Sequence, residues 1–140
     1  MLHLTKLAVG IDDIRHLRQV QARRLATEPP LCHRTRHFPR RAAEIVAGGS
    51  LYWVIAGAMI VRQLVLAIEH DRRPDGSACA AFVLDPVLVP VAGRPTKPFQ
   101  GWRYLAGDAA PPDLKSGAAA RGEAKLPPQL RAELRALGLL

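Results

Sequence analysis

The chain has 140 residues, of which 49% are hydrophobic and 23% are charged. This length is too short for two ordinary domains, and the apolar content is too high for a disordered chain, so we expect one folded domain with an appendage. The 20 Lys and Arg against 12 Asp and Glu leave a net charge of +8, which favours negatively charged partners such as nucleic acid. Coding bias in a GC-rich genome is an equal explanation for the arginine content.

Two cysteines, Cys32 and Cys79, form neither a disulfide framework nor a four-thiolate zinc site. Residues 1–6 lack the basic-then-apolar layout of a signal peptide, so we expect a cytoplasmic protein. Residues 51–68 are apolar enough to suggest a membrane helix, but Arg62 within that span would cost about 3 kcal/mol. Its β-branched residues favour strands, and we expect no membrane span.

In chain order, the first predicted elements are a strand over 2–9 and a helix capped at Asp12 or Asp13 that runs to residue 26. Its outer face is cationic and two prolines end it. Next come an extended segment over 32–38 and a short helix over 40–47, which begins after Pro39. The cationic outer face of the first predicted helix consists of Arg15, Arg18, Arg23 and Arg24.

The residue pattern in the second half of the chain predicts strands. One covers 50–60 and turns near Gly57, and another covers 61–69. The turn signal at 71–76 joins the latter to a strand over 78–84 as a hairpin. A strand over 87–91 places Pro90 at an edge or bulge. A loop over 94–98 and a last strand over 99–105 complete a domain over 1–114, which precedes a flexible linker over 115–128 and an amphipathic C-terminal helix over 129–140.

This order predicts an α+β fold: a small, curled, mainly antiparallel sheet or partly open barrel with two helices packed against it, plus the C-terminal helical tail. A parallel nucleotide-binding sheet is disfavoured, because no helices separate the later strands.

Three strings resemble the signature blocks of one bacterial family: TRHFPRR at 35–41, GGSLYWVI at 48–55 with Arg62 and Gln63, and FQGWRYL at 99–105. The chain is identified by them as similar to the domain of unknown function 1489 family, known mainly from alphaproteobacteria. Two departures are Ala56, where the family is expected to have a Lys, and a short segment before Thr35. The resemblance implies kinship and no particular activity. By pattern alone, the element order is also similar to small RNA-binding barrels of the PUA type (pseudouridine synthase and archaeosine transglycosylase).

The densest cluster of candidate binding residues is Arg34, Arg36, Arg40 and Arg41. Arg34 and Arg36 share one face of an extended segment, and the next two begin a helix, so the four are able to hold phosphates. The alternative is a solvated basic edge in which Arg40 or Arg41 pairs with Glu44.

Aromatic residues on the last strand supply a second candidate feature. Alternation places Trp102 and Tyr104 on one face, as stacking platforms for bases, and Arg103 on the other. The alternative is that Trp53 and Trp102 are large parts of the core.

Other chemistry is weakly supported. Cys32, His33 and His37 have near-ligand spacing, but neighbours on a strand point in opposite directions, so we expect no metal site. Ser50 lacks a nucleophile elbow, and no paired carboxylates suggest acid–base catalysis, so we expect no catalytic residue and no cofactor.

Three hypotheses follow from the sequence. The leading one is a non-catalytic RNA- or nucleic-acid-binding module that uses the four arginines, with Trp102, Arg103 and Tyr104. The second is a small enzyme acting on a phosphorylated or nucleotide substrate beside the same arginines. The third is a structural or partner-binding protein whose C-terminal helix docks on another chain. The sequence leaves the oligomeric state open.

Overall fold

The computed structural model describes residues 1–114, which form two α-helices and seven strands. The predicted linker over 115–128 and helix over 129–140 lie outside the described residues. The elements are β1 Leu2–Leu7, α1 Ile14–Thr27, β2 Cys32–Thr35, α2 Ala42–Val46, β3 Ser50–Ile55, β4 Ala58–Arg72, β5 Ala78–Leu84, β6 Val89–Pro95 and β7 Trp102–Ala106, then a 3₁₀ turn over Gly107–Ala109.

The strands form one sheet in the order β2-β5-β4-β3-β1-β7, with β6 paired to β4. The pair β1–β3 is parallel, and the other pairs are antiparallel. The long strand β4 holds the sheet together: its first half pairs with β3 and β6 and its second half with β5. The sheet does not close. The predicted α+β class, with a mainly antiparallel sheet and two helices, is confirmed.

The helix α1 forms as the sequence predicts. The Asp13 carboxylate accepts a hydrogen bond from the His16 amide at 2.7 Å and so caps the N-terminus. Ile14 and Leu17 are buried against the sheet, and their spacing gives the helix one apolar side. The helix ends at Thr27, just before two prolines. The four arginines of the outer side are exposed: Arg15, Arg18, Arg23 and Arg24.

The core lies on both faces of the sheet. On the face covered by α1 and α2, which we call the helix face, Leu51 and Trp53 pack with Ile14 and Ile45. On the opposite face, a smaller cluster includes Tyr52. Its other buried members are Val54, Met59, Val91 and Leu105.

Several predicted strand boundaries were wrong, among them those at the β3–β4 turn, in β6 and in β7. The β3–β4 turn consists of Ala56 and Gly57, both with positive φ (51° and 82°), so β4 begins at residue 58 and no strand continues to 60. Strand β6 extends through Arg94 to Pro95, in the predicted loop, because it pairs with the start of β4. Strand β7 begins at residue 102, because Gly101 has φ 70° and interrupts the extended backbone.

The predicted position of Pro90 is confirmed. This residue pairs with Val61 next to a register shift in the β4–β6 ladder, and its carbonyl accepts a hydrogen bond from the Leu114 amide at 3.0 Å. A proline is tolerated at such an irregularity because it has no amide proton to donate.

The apolar stretch over 51–68 forms β3 and most of β4. Across residues 1–114, none of the helices has the length and apolar character needed to cross a membrane.

Candidate nucleic-acid interface

The aromatic residues of β7 are arranged as alternation predicts. Tyr104 pairs with the buried Leu4 of β1, and the rings of Trp102 and Tyr104 meet edge to face at 4.9 Å between centroids. Arg103 pairs instead with Thr5, and its guanidinium lies 4.7 Å from the centre of the Phe99 ring. Trp102 and Tyr104 therefore share the helix face, and Arg103 lies on the other.

Two hydrogen bonds attach the arginine-rich segment to these aromatics. The Trp102 indole Nε1 donates to the His37 carbonyl at 2.8 Å, across 65 positions of sequence. The Arg41 amide donates to the Tyr104 hydroxyl at 3.2 Å. The structure thus places side by side two clusters that the sequence only suggested separately.

The four candidate arginines differ in their surroundings. Arg34 pairs with Asp71 at 2.9 Å, and the Arg41 guanidinium makes a two-pronged contact with Glu44 at 2.6 and 2.8 Å. The hydrogen bond from Arg41 lowers the pKa of Glu44. This is the ion pair that the alternative of a solvated basic edge predicted for Arg41. Arg36 and Arg40 are exposed, and neither side chain has an ion pair or hydrogen bond within residues 1–114.

The Arg41–Glu44 pair is weak enough to open. Its side chains are 52% and 54% exposed, and exposed pairs contribute little because water and salt screen them. The Arg41 guanidinium also lies 5.7 Å from the centre of the Tyr104 ring, and Tyr104 is itself 38% exposed. We call the patch formed by Arg36, Arg40, Arg41, Trp102 and Tyr104 the basic–aromatic surface. Arg34 lies apart from it, in its pair with Asp71.

The two tryptophans have different roles. Trp53 is a core residue, 3% exposed, and its indole Nε1 donates to the Gln63 side-chain oxygen at 2.7 Å. Gln63 is fully buried and exchanges two further hydrogen bonds with Gln21. Trp102 is half-buried and packs at the edge of the core. The sequence analysis missed the glutamine pair, although a Gln within an apolar strand was its signal.

A second polar cluster, also missed, lines a pocket of about 710 Å³ on the opposite face. The Arg62 guanidinium donates to the Ser50 hydroxyl at 2.9 Å. It also makes a bidentate contact with the Asp113 carboxylate at 2.7 and 2.6 Å. The buried His3 accepts a hydrogen bond from the Ser50 amide through Nδ1 at 3.0 Å, and burial lowers the pKa of its imidazole. Since His3 Nδ1 is occupied by that amide, it is not available as a base for the Ser50 hydroxyl. The hydrogen bonds of the cluster join β1, β3 and β4.

The residues considered for metal binding are not brought together. Within residues 1–114, no three His, Cys, Asp or Glu side chains are grouped closely enough to hold a metal ion. His33 instead lies edge-on against Trp53, and His37 is exposed.

The family described as "Protein of unknown function (DUF1489)" matches residues 4–140. The chain belongs to the DUF1489 family. No curated protein and no solved structure matches the chain. In this DUF1489 chain, the signature strings meet in two places. The strings at 35–41 and 99–105 form the basic–aromatic surface, whereas those at 48–55 and 62–63 form the polar contacts of β3 with β4.

Proposed function

We propose that this DUF1489 chain is a non-catalytic RNA-binding module that holds single-stranded RNA on the basic–aromatic surface. The observation that carries the proposal is the pair of hydrogen bonds, Trp102 to His37 and Arg41 to Tyr104, that fixes cations beside aromatic rings. Phosphate-binding and base-stacking groups next to each other are what single-stranded nucleic acid requires.

Arg36 and Arg40 supply the phosphate contacts. Each is exposed and without a carboxylate partner in the described part of the chain, so binding a phosphate requires no ion pair to be broken first. Arg41 is able to exchange its exposed contact with Glu44 for a phosphate, because such a pair is screened by water. The net charge of +8 attracts the polyanion over a longer range.

Tyr104 and Trp102 supply the stacking contacts. An aromatic ring that covers an unpaired base contributes about 1–3 kcal/mol. Bases in a duplex are stacked on each other and unavailable, which favours single strands or loops over double helices. We also propose a PUA-like arrangement of the domain and a cytoplasmic location, as expected from the sequence.

A binding titration with two matched double variants tests the proposal. Fluorescence anisotropy with a labelled single-stranded RNA of mixed sequence measures Kd for the wild type, for Arg36→Ala with Arg40→Ala, and for Arg15→Ala with Arg18→Ala. The last variant removes the same charge from the exposed side of α1. We expect the first double variant to weaken binding at least tenfold and the control to weaken it far less. Equal losses in the two variants, or no binding by the wild type, would show that this surface is not the binding site.

A further inference from the structure

A separate, smaller cavity of about 240 Å³ lies between α1, the end of β1 and the start of β2. Apolar side chains, including Leu17, Val20 and Leu31, form much of its wall. Lys6 and Arg24 bring positive charge to it. No Asp or Glu is among the described residues that line it.

The two cations at this cavity have no counter-charge among the described residues. Neither Lys6 nor Arg24 forms an ion pair within residues 1–114. Lys6 is partly buried, and burial lowers the pKa of its ammonium, because the charged form loses contact with water. An anion in the cavity would remove this cost.

His33 adds a polar atom that lacks a partner. Its Nε2 is inaccessible to solvent and has no hydrogen-bond partner between residues 1 and 114, and its ring lies edge-on to Trp53 with 5.0 Å between centroids. Buried polar atoms without partners are rare in folded proteins because each one costs free energy. Burial, reinforced by the charges of Lys6, Arg24 and Arg73, lowers the pKa of His33 to about 4. The imidazole is therefore neutral at pH 7.

We propose that this cavity binds a compact organic anion, with one phosphate or carboxylate group carried on a small apolar body. Lys6 and Arg24 pair with the anionic group, next to the His33 ring in the cavity wall. The apolar body contacts Leu17, Leu31 and the Trp53 ring. The volume is below the roughly 300–1,000 Å³ of pockets for drug-sized ligands, so the body is only a few carbon atoms long. This site is independent of the RNA-binding surface.

Tryptophan fluorescence is a direct readout, because the chain has two tryptophans and only Trp53 lines the cavity. In a Trp102→Phe background, the remaining signal comes from Trp53. The chain is titrated with n-butyl phosphate, with butyrate and with neutral n-butanol, and thermal unfolding of the wild-type chain is followed with the same three compounds. With at least one anion, we expect a saturable change in fluorescence and a higher Tm. With butanol, we expect neither effect. The tighter of the two anions identifies the anionic group.

Two neighbouring arginines of α1 provide the matched variants. Arg24→Gln removes a charge that lines the cavity, whereas Arg23→Gln removes an exposed charge that does not. Both residues are exposed, so neither change threatens folding. We expect Arg24→Gln to weaken anion binding at least tenfold and Arg23→Gln to change it less than about twofold. The proposal is overturned by any of three results: no saturable signal with either anion, butanol binding as well as the anions, or equal effects of the two variants.

Discussion

Trp102 and His37 are joined by a hydrogen bond of 2.8 Å from the indole Nε1 to the backbone carbonyl. The contact links the outermost strand, β7, to the segment between β2 and α2. It uses a side-chain donor and a main-chain acceptor, so it fixes the path of the backbone at His37 while leaving the neighbouring side chains of Arg36 and Arg40 in solvent. The Trp102 indole is therefore one of the two hydrogen-bonding groups that set the geometry of the basic–aromatic surface.

Trp102→Phe keeps an aromatic ring and removes this donor. We expect the free energy of unfolding to fall by about 1 kcal/mol, which is typical of one hydrogen bond, and RNA binding to weaken because the arginine segment loosens. Urea unfolding followed by circular dichroism measures the first effect and anisotropy the second. Tyr104→Phe, which removes only the acceptor for the Arg41 amide, should be milder because that amide can bond to water. RNA affinity unchanged in Trp102→Phe would count against the role of the indole.

Gln63→Leu tests the buried glutamine pair. Gln63 is fully buried and accepts from Trp53 and Gln21 while donating to Gln21 and to the Asp85 carbonyl. The leucine would leave the Trp53 indole and the Gln21 amide without partners, and we expect a loss of about 3 kcal/mol in the free energy of unfolding. Adding Gln21→Leu removes the unpartnered Gln21 amide, so the double variant should recover part of the lost free energy of unfolding. A single variant as stable as the wild type would contradict this account.

His33 makes stability depend on pH in a defined direction. Its pKa is lowered from 6.5 to about 4 in the folded chain, first by burial and then by nearby positive charges. Between these two values the unfolded state binds more protons, so the free energy of unfolding falls as the pH drops from about 6.5 towards 4 and is unaffected by His33 above that window. This pKa shift corresponds to a loss of about 3 kcal/mol in the free energy of unfolding once the pH is below both values.

His33→Phe removes this dependence while keeping an aromatic ring against Trp53. Urea unfolding at several pH values between 4 and 7 measures the slope for both proteins. Burial lowers the pKa of His3 as well, and Arg41 lowers that of Glu44, so other groups also contribute to the wild-type slope and the difference between the proteins isolates His33. Parallel slopes in the wild type and the variant would show that His33 titrates normally in the folded chain.

Much of the fold could be predicted because its signals are local. The cap at Asp13, the apolar side of α1 and the turn before β5 are each encoded by a few neighbouring residues. The ends of β6 and β7 could not be predicted, because they depend on which strand lies alongside. Arg94 belongs to a strand only because Met59 of β4 pairs with it.

The same division applies to the candidate site. The shared face of Trp102 and Tyr104 follows from alternation along one strand, and the Arg41–Glu44 pair follows from helical spacing. The Arg34–Asp71 pair depends on how β2, β5 and β4 are aligned, which no local pattern specifies. The His33 cavity forms where β2 comes against Trp53 of β3, although β5 and β4 lie between these two strands in the sheet order.

The salt dependence of RNA binding tests the central claim most directly. If Arg36 and Arg40 each neutralise one phosphate, a plot of log Kd against log salt concentration should be steep for the wild type. Its slope should be smaller by about 1.4 in the Arg36→Ala, Arg40→Ala variant, since each phosphate contact on a single strand contributes about 0.7. Identical slopes for the two proteins, or a wild-type Kd that does not change with salt, would contradict the proposed interface.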